Sequence, residues 1–184
     1  MKAIKLKSPV GELNWCFAQG EGKEDNGKKQ KTVSLYLKTD SKECKQLQKD
    51  IMAIWDAYKD QNPKVKPALK PKSTGFKIVL DKNTGEETDT TQFNFKTNSF
   101  FPDGSANIVK IYRGKDDITQ QLDDANVKIG NGSKGIVHGA ANGYEFQGAF
   151  GVSLYLSAIQ LTKLVKYEGT EPDIDDVELE EDDG

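Results

Sequence analysis

The chain has 184 residues, 30% of them charged, a formal net charge of −3 and a mean hydropathy of −0.68. No stretch approaches the roughly 20 apolar residues that a spanning helix needs, so no membrane partner is expected. The two cysteines, Cys16 and Cys44, have neither metal-ligand nor CxxC spacing, which suits buried free thiols in a reducing compartment.

The charge is unevenly placed. Ten acidic residues and no Lys or Arg fall in 168–184. Removing those ten from the 29 acidic residues leaves 19 against 26 basic residues in 1–167, a net +7. A basic body suits a polyanion, and an acidic end suits a solvated interaction arm.

In chain order, Met1 to Val10 is lysine-rich, but no apolar h-region follows, so no signal peptide is expected. Leu13, Trp15 and Phe17 alternate, which makes Trp15 a core candidate. In Thr32–Lys38, Val33, Leu35 and Leu37 alternate with Ser34, Tyr36 and Lys38, the period of a half-buried strand. The spacing of Cys44, Leu47, Ile51, Ile54, Trp55 and Tyr58 predicts an amphipathic helix over 41–60. Ser41 is its expected N-cap, and Asn62-Pro63 its end. The segment 63–75 is a Pro/Lys-rich connection. Its Lys64, Lys66, Lys70 and Lys72 suit either phosphate contact or a soluble linker.

Further strands are expected at Phe76–Leu80, Thr91–Lys96 and Asn107–Tyr112, with turns at Asn83-Thr84-Gly85 and Asp103-Gly104. Phe93 and Phe95 share one strand face and read as core. Phe100-Phe101-Pro102 reads as a loop wedge or a barrel plug. Short strands at Val127–Ile129, Gly135–His138 and Tyr144–Phe146 lie among glycines. In Val152–Tyr167 the apolar phase slips near Ala158–Ile159, which predicts a bulge that bends a long strand. Many short strands with one helix give a mainly β fold, an OB-like small barrel. The domain boundary is expected at 167, with a disordered acidic tail over 168–184.

Several segments resemble tailed-phage single-stranded DNA-binding proteins. Ser8-Pro9-Val10-Gly11-Glu12-Leu13-Asn14-Trp15 is similar to the family's opening. The stretch 106–121, with its Asp116-Asp117-Ile118 close, resembles a later strand and turn. Ile129-Gly130-Asn131-Gly132-Ser133 followed by Gly151-Val152-Ser153-Leu154-Tyr155-Leu156-Ser157-Ala158-Ile159-Gln160 resembles the "I-x-x-G-S … G-V-S-L-x-L-x-A-V-Q" signature. The resemblance spans nearly the whole chain. It implies an OB-fold that coats ssDNA in phage DNA replication, recombination and repair. It further implies a host-cytoplasmic location, a homodimer, and a tail that contacts phage DNA polymerase and helicase/primase and competes with DNA for the groove. The family's tails close on an aromatic residue, whereas this sequence ends Asp182-Asp183-Gly184. The expected partner-binding stretch is therefore Ile174, Asp175, Asp176, Val177, Glu178, Leu179, Glu180, Glu181, Asp182 and Asp183, with the apolar three as anchors.

Sequence-independent ssDNA binding needs cations for phosphates and flat rings for bases on one face. Tyr36 with Lys38, and Lys110 with Tyr112, fall opposite apolar faces, and Arg113 ends the second strand. Lys77, Lys96 and Tyr155 extend the candidate set; ordinary strand decoration is the competing reading. No enzyme is expected: His138 is the lone histidine, and Asp116-Asp117 and Asp123-Asp124 look like turn residues. No cofactor or metal is expected, and the Gly130–Gly135 run lacks phosphate-loop spacing. The alternative is a phage inhibitor of another protein, its acidic arm mimicking nucleic acid.

Overall fold

The structure is a computed structural model that describes residues 2–167. The expected tail and its anchors Ile174, Val177 and Leu179 lie outside the described residues.

The elements in chain order are β1 (Ile4–Lys7), β2 (Gly11–Asn14), β3 (Lys23–Asp25), β4 (Lys28–Lys38), α1 (Lys42–Gln61), β5 (Phe76–Leu80), β6 (Glu87–Asn98) and β7 (Lys110–Arg113), followed by β8 (Asp116–Asp117), α2 (Thr119–Asp124), β9 (Lys128–Ile129), β10 (Ser133–Phe146), β11 (Ala149–Lys163) and β12 (Lys166–Tyr167). Five of these strands close a ring. β2 pairs β4, β4 pairs β6, and β6 meets β11 in parallel at Lys96 and Tyr155. β11 then pairs β10, and β10 returns to β2. This is the mainly β, OB-like barrel that the strand inventory calls for. β1 lies outside β10, β5 outside β6, and β7 outside β11.

The inward phases are those the alternation sets. Val33, Leu35, Phe93, Phe95, Ile111, Leu154 and Ile159 are buried in one core. Lys31 is the exception on the same phase of β4. It is buried at the barrel's end, where desolvation pulls its pKa down and the charge of Asp123 acts the other way.

Helix α1 begins at the expected residue. The Ser41 hydroxyl accepts from the Cys44 backbone N–H at 3.1 Å. Its apolar stripe of Cys44, Leu47, Ile51, Ile54 and Trp55 is buried against the barrel. Gly143 admits the helix: a Cβ there would lie 2.1 Å from Cγ of Tyr58. The connection 63–75 is pinned by buried Val65. It then runs beside β11, with Lys72 N–H donating to the Phe150 carbonyl and Val152 N–H to that of Ser73, both at 2.8 Å. Its four lysines are exposed.

Four expectations are corrected. Gly135–His138 and Tyr144–Phe146 are not separate strands but parts of the continuous β10. Asp116-Asp117 form the short strand β8, not a turn. Asp123-Asp124 close helix α2, which the sequence reading missed. Trp15 is not core: it is 52% exposed, and Phe17 is 40% exposed. Strand β2 stops at Asn14, and Trp15 takes φ 51°, which breaks the alternation and turns the ring outward. Phe93, Phe95 and Trp55 are core as expected.

The bulge in β11 is present. His138 faces Ala158 but Gly139 faces Leu156, so Ser157 is the extra residue. Gly139 permits the bend, because a Cβ there would lie 1.9 Å from the Tyr155 carbonyl oxygen. Gly139→Ala should therefore destabilise the fold by roughly 1–3 kcal/mol, the usual cost of overpacking. Urea denaturation checks this through a lower midpoint at unchanged slope; an unchanged midpoint would show that the bulge can relax.

Both cysteines are free thiols. Burial pushes Cys16 up to about 11, so it stays protonated and unreactive at neutral pH.

Candidate nucleic-acid interface

The outer face of β4 and β6 is a polar floor. In register, Thr32 faces Lys96, Ser34 faces Asn94 and Tyr36 faces Gln92. Ser34 Oγ donates to Asn94 Oδ1 at 2.7 Å, and Gln92 Nε2 donates to the same oxygen at 3.1 Å. These side chains satisfy one another at low height and leave the floor open to a flat ligand.

Across the floor the strands bring together residues that are distant in sequence. Lys96 and Tyr155 are direct neighbours where β6 meets β11. Tyr155 in turn faces Ala140, which faces Lys5 on β1. One row around the barrel therefore reads Lys5, Ala140, Tyr155, Lys96, Thr32: a ring that is 38% exposed, with a cation on either side. A second row reads Lys77, Gln92, Tyr36, Glu12. Tyr36 is half-buried, Lys77 and Lys38 are exposed, and Lys38 sits one pair further along, opposite Thr90.

Strand β7 continues along the same edge of β11. Lys110 faces Ala158 and Tyr112 faces Gln160, with Lys110 exposed and Tyr112 half-buried. Ala158 also faces His138, which faces Lys7, so Lys7, His138 and Lys110 share a row. His138 Nε2 and Gln160 Oε1 are 3.3 Å apart, and Gln160 Nε2 donates to the Gly114 carbonyl at 3.1 Å. This gives His138 a structural partner in Gln160. Arg113 is exposed but faces Asp116, and Tyr112 faces Asp117. The Thr119 hydroxyl and backbone N–H bond the Asp117 carboxylate and hold it below the usual carboxylate range, with Lys110 adding to the effect. These carboxylates temper the positive field at Arg113. Among the described residues no cluster of His, Cys, Asp or Glu could hold a metal ion.

Beside the Lys96–Tyr155 contact opens a cleft of about 670 Å³, lined by Ser73, Asn94, Lys96, Tyr144, Phe146 and Ser153. Its wall is the end of the β10–β11 hairpin. Gln147 and Gly148 turn that hairpin with φ 51° and 79°, and Phe146 projects beside the turn, 65% exposed.

The structure keeps Tyr36 with Lys38 and Lys110 with Tyr112 on one outward strand face each, and adds a neighbour across strands. Tyr155 meets Lys96 across strands, Lys77 and Tyr36 flank Gln92 on either side of β6, and Lys110 and Tyr112 form a separate patch along the barrel. Lys5, Lys7, Tyr144 and Phe146 were missed. Lys5 and Lys7 were legible as outward residues around buried Leu6, and the Gln147-Gly148 turn marked Phe146 as a hairpin tip.

No protein-family model matches this sequence, and no curated protein matches it. Solved structures do. The chain is similar to gp2.5, a single-stranded DNA-binding protein encoded by bacteriophage T7, with a TM-score of 0.65 and 20% identity over 92% of each chain. It is similar to the single-stranded DNA-binding protein of bacteriophage Enc34 in complex with ssDNA, with a TM-score of 0.64 and 11% identity over 90% of this chain and 89% of that one. A second structure of the Enc34 protein matches with a TM-score of 0.62 and 9% identity over 95% and 97%. At these identities the likeness is one of fold.

Proposed function

We propose that this chain, which shares the fold of phage single-stranded DNA-binding proteins, is itself a non-enzymatic protein that coats ssDNA without sequence preference. The observation that carries the reading is the row Lys5–Ala140–Tyr155–Lys96–Thr32 on the barrel's outer face. An exposed ring between two cations serves one base and its flanking phosphates, and a floor of Thr32, Ser34 and Asn94 reads no base in particular. Tyr36 with Lys77 and Lys38, and Tyr112 with Lys110 and Arg113, extend stacking and charge to either side. The protein acts in phage DNA replication, recombination and repair in the host cytoplasm. Its acidic tail competes with DNA for the groove and recruits DNA polymerase and helicase/primase; a homodimer is part of the same reading.

Titration with oligo-dT and with a duplex of equal length, followed by gel shift, tests this. The expected result is tight binding of the single strand and at least tenfold weaker binding of the duplex, whose paired bases hide their faces. Affinity should fall with salt with a log–log slope of about −0.7 per phosphate contacted. Equal affinity for both nucleic acids would reduce the interaction to charge adsorption and remove the stacking rings from the account.

A further inference from the structure

Trp15, Phe17 and Tyr167 expose 52, 40 and 50% of their surface, and they come from two chain segments far apart in sequence. The three rings line one pocket of about 390 Å³ with Ile129 and Val165 on its inner side. The site is built, not incidental. Trp15 is held in the left-handed backbone region at φ 51°, a conformation that costs a bulky residue energy and persists where the surroundings enforce it. The enforcing contact is the Trp15 backbone N–H donating to Asn131 Oδ1 at 2.8 Å. The Gln19 side chain then ties this loop to the opposite segment, donating to the Val127 carbonyl at 2.8 Å and accepting from the Ile129 N–H at 3.0 Å.

Cations surround the rings. Lys23 Nζ stands 5.5 Å from the Phe17 ring centroid, Lys166 lines the pocket, and Lys128 faces Tyr167 across the β9–β12 pair. The pocket also continues the floor described above. Phe17 N–H donates to the Thr32 carbonyl at 2.8 Å, and Thr32 is the neighbour of Lys96. Phe17, Thr32, Lys96 and Tyr155 therefore follow one another across the barrel.

From this continuity the geometry points to a second base-stacking subsite: the Trp15–Phe17–Tyr167 pocket seats a nucleobase of the same ssDNA strand that crosses the Lys96–Tyr155 row, while Lys23, Lys128 and Lys166 hold the adjoining phosphates. The inference rests on the ssDNA reading and adds the strand's path. Exposed flat rings among lysines are a stacking surface. The acidic segment 168–184, which follows Tyr167 in the sequence, is the competing occupant and is resolved by the test.

Trp55 is 1% exposed, so Trp15 is the tryptophan whose emission solvent and ligands can reach. Full-length protein and its Trp15→Phe variant are titrated with oligo-dT of about 20 nucleotides, longer than the ~4–16 that one OB fold covers, with gel shift in parallel. The expected result is strong quenching in the parent and loss of most of that quenching in Trp15→Phe. Trp15→Ala should bind this oligomer about fivefold or more weakly, yet bind an oligomer of about 5 nucleotides, which the Lys96–Tyr155 row holds unaided, as the parent does. A gel shift without any change in Trp15 emission would overturn the subsite and leave ssDNA binding intact, whereas the absence of a gel shift would overturn the functional reading itself. In the full chain, Ile174→Ser, Val177→Ser and Leu179→Ser together should leave Trp15 emission unchanged before DNA is added. A red shift there, with no further change on adding oligo-dT, would assign the pocket to the tail and overturn the proposal.

Discussion

Replacing Tyr155 and Lys96 together by alanine is expected to weaken ssDNA binding by about 100-fold while leaving the barrel folded. Stacking on one ring is worth roughly 1–3 kcal/mol per base, and losing a phosphate contact adds to that. Both side chains are exposed on the outer phase of their strands, and the core on the inner phase does not use them. The two substitutions should divide in kind. Tyr155→Ala should lower affinity at every salt concentration. Lys96→Ala should flatten the salt slope by about 0.7, the share of one phosphate. Tm and far-UV circular dichroism check that the fold survives. If both variants bind poly-dT as the parent does, the Lys5–Tyr155–Lys96 row is not the binding surface.

Deleting 168–184 is expected to raise ssDNA affinity by about tenfold or more at low salt, with little effect at physiological ionic strength. The segment carries ten acidic residues and no basic ones, tethered to a body of net +7. A short tether gives an effective concentration that reaches the millimolar range, so under the proposed competition ssDNA has to displace the segment from the cationic face. Screening decides where the effect shows: the Debye length is about 30 Å at 0.01 M salt and about 8 Å at 0.15 M. The same deletion should abolish recruitment of the phage polymerase or helicase in a pull-down. Affinity that stays the same at low salt would mean that the tail never reaches the groove.

Period-two alternation made most of the barrel legible. Val33, Leu35 and Leu37 on β4, and Phe93 and Phe95 on β6, face inward because successive side chains on a strand must point to opposite sides. The slip of phase in β11 gave away the bulge at Ser157 for the same reason. The amphipathic stripe and Ser41 placed α1 to within a residue. Glycine misled the reading of β10. Gly135, Gly139 and Gly143 look like breaks in a sequence, but each marks a close approach, to Gln160, Tyr155 and Tyr58 respectively. Trp15 failed in the opposite direction: local alternation assigned it to the core, and a single residue at positive φ reversed the face. Helix α2 is six residues long and has only Leu122 buried along it, too little apolar pattern to declare itself.

Outside the turn at Trp15 and the buried Lys31, the sequence by itself determined which strand residues lie inside the barrel and which outside, because that division depends on neighbours two, three and four positions away along the chain. It also determined the sign of the body's charge and the contrasting acidity of 168–184, since both are sums over residues. Only the tertiary structure decided which outward residues work together. Tyr155 meets Lys96 because β6 and β11 run parallel at that one register position, and Lys5 joins them through Ala140 because β1 pairs β10 at a particular offset. The β6–β11 register follows from barrel closure, where one residue of register moves every side chain to the other face. Closure is a property of all five strands at once, and no local window of the chain contains it.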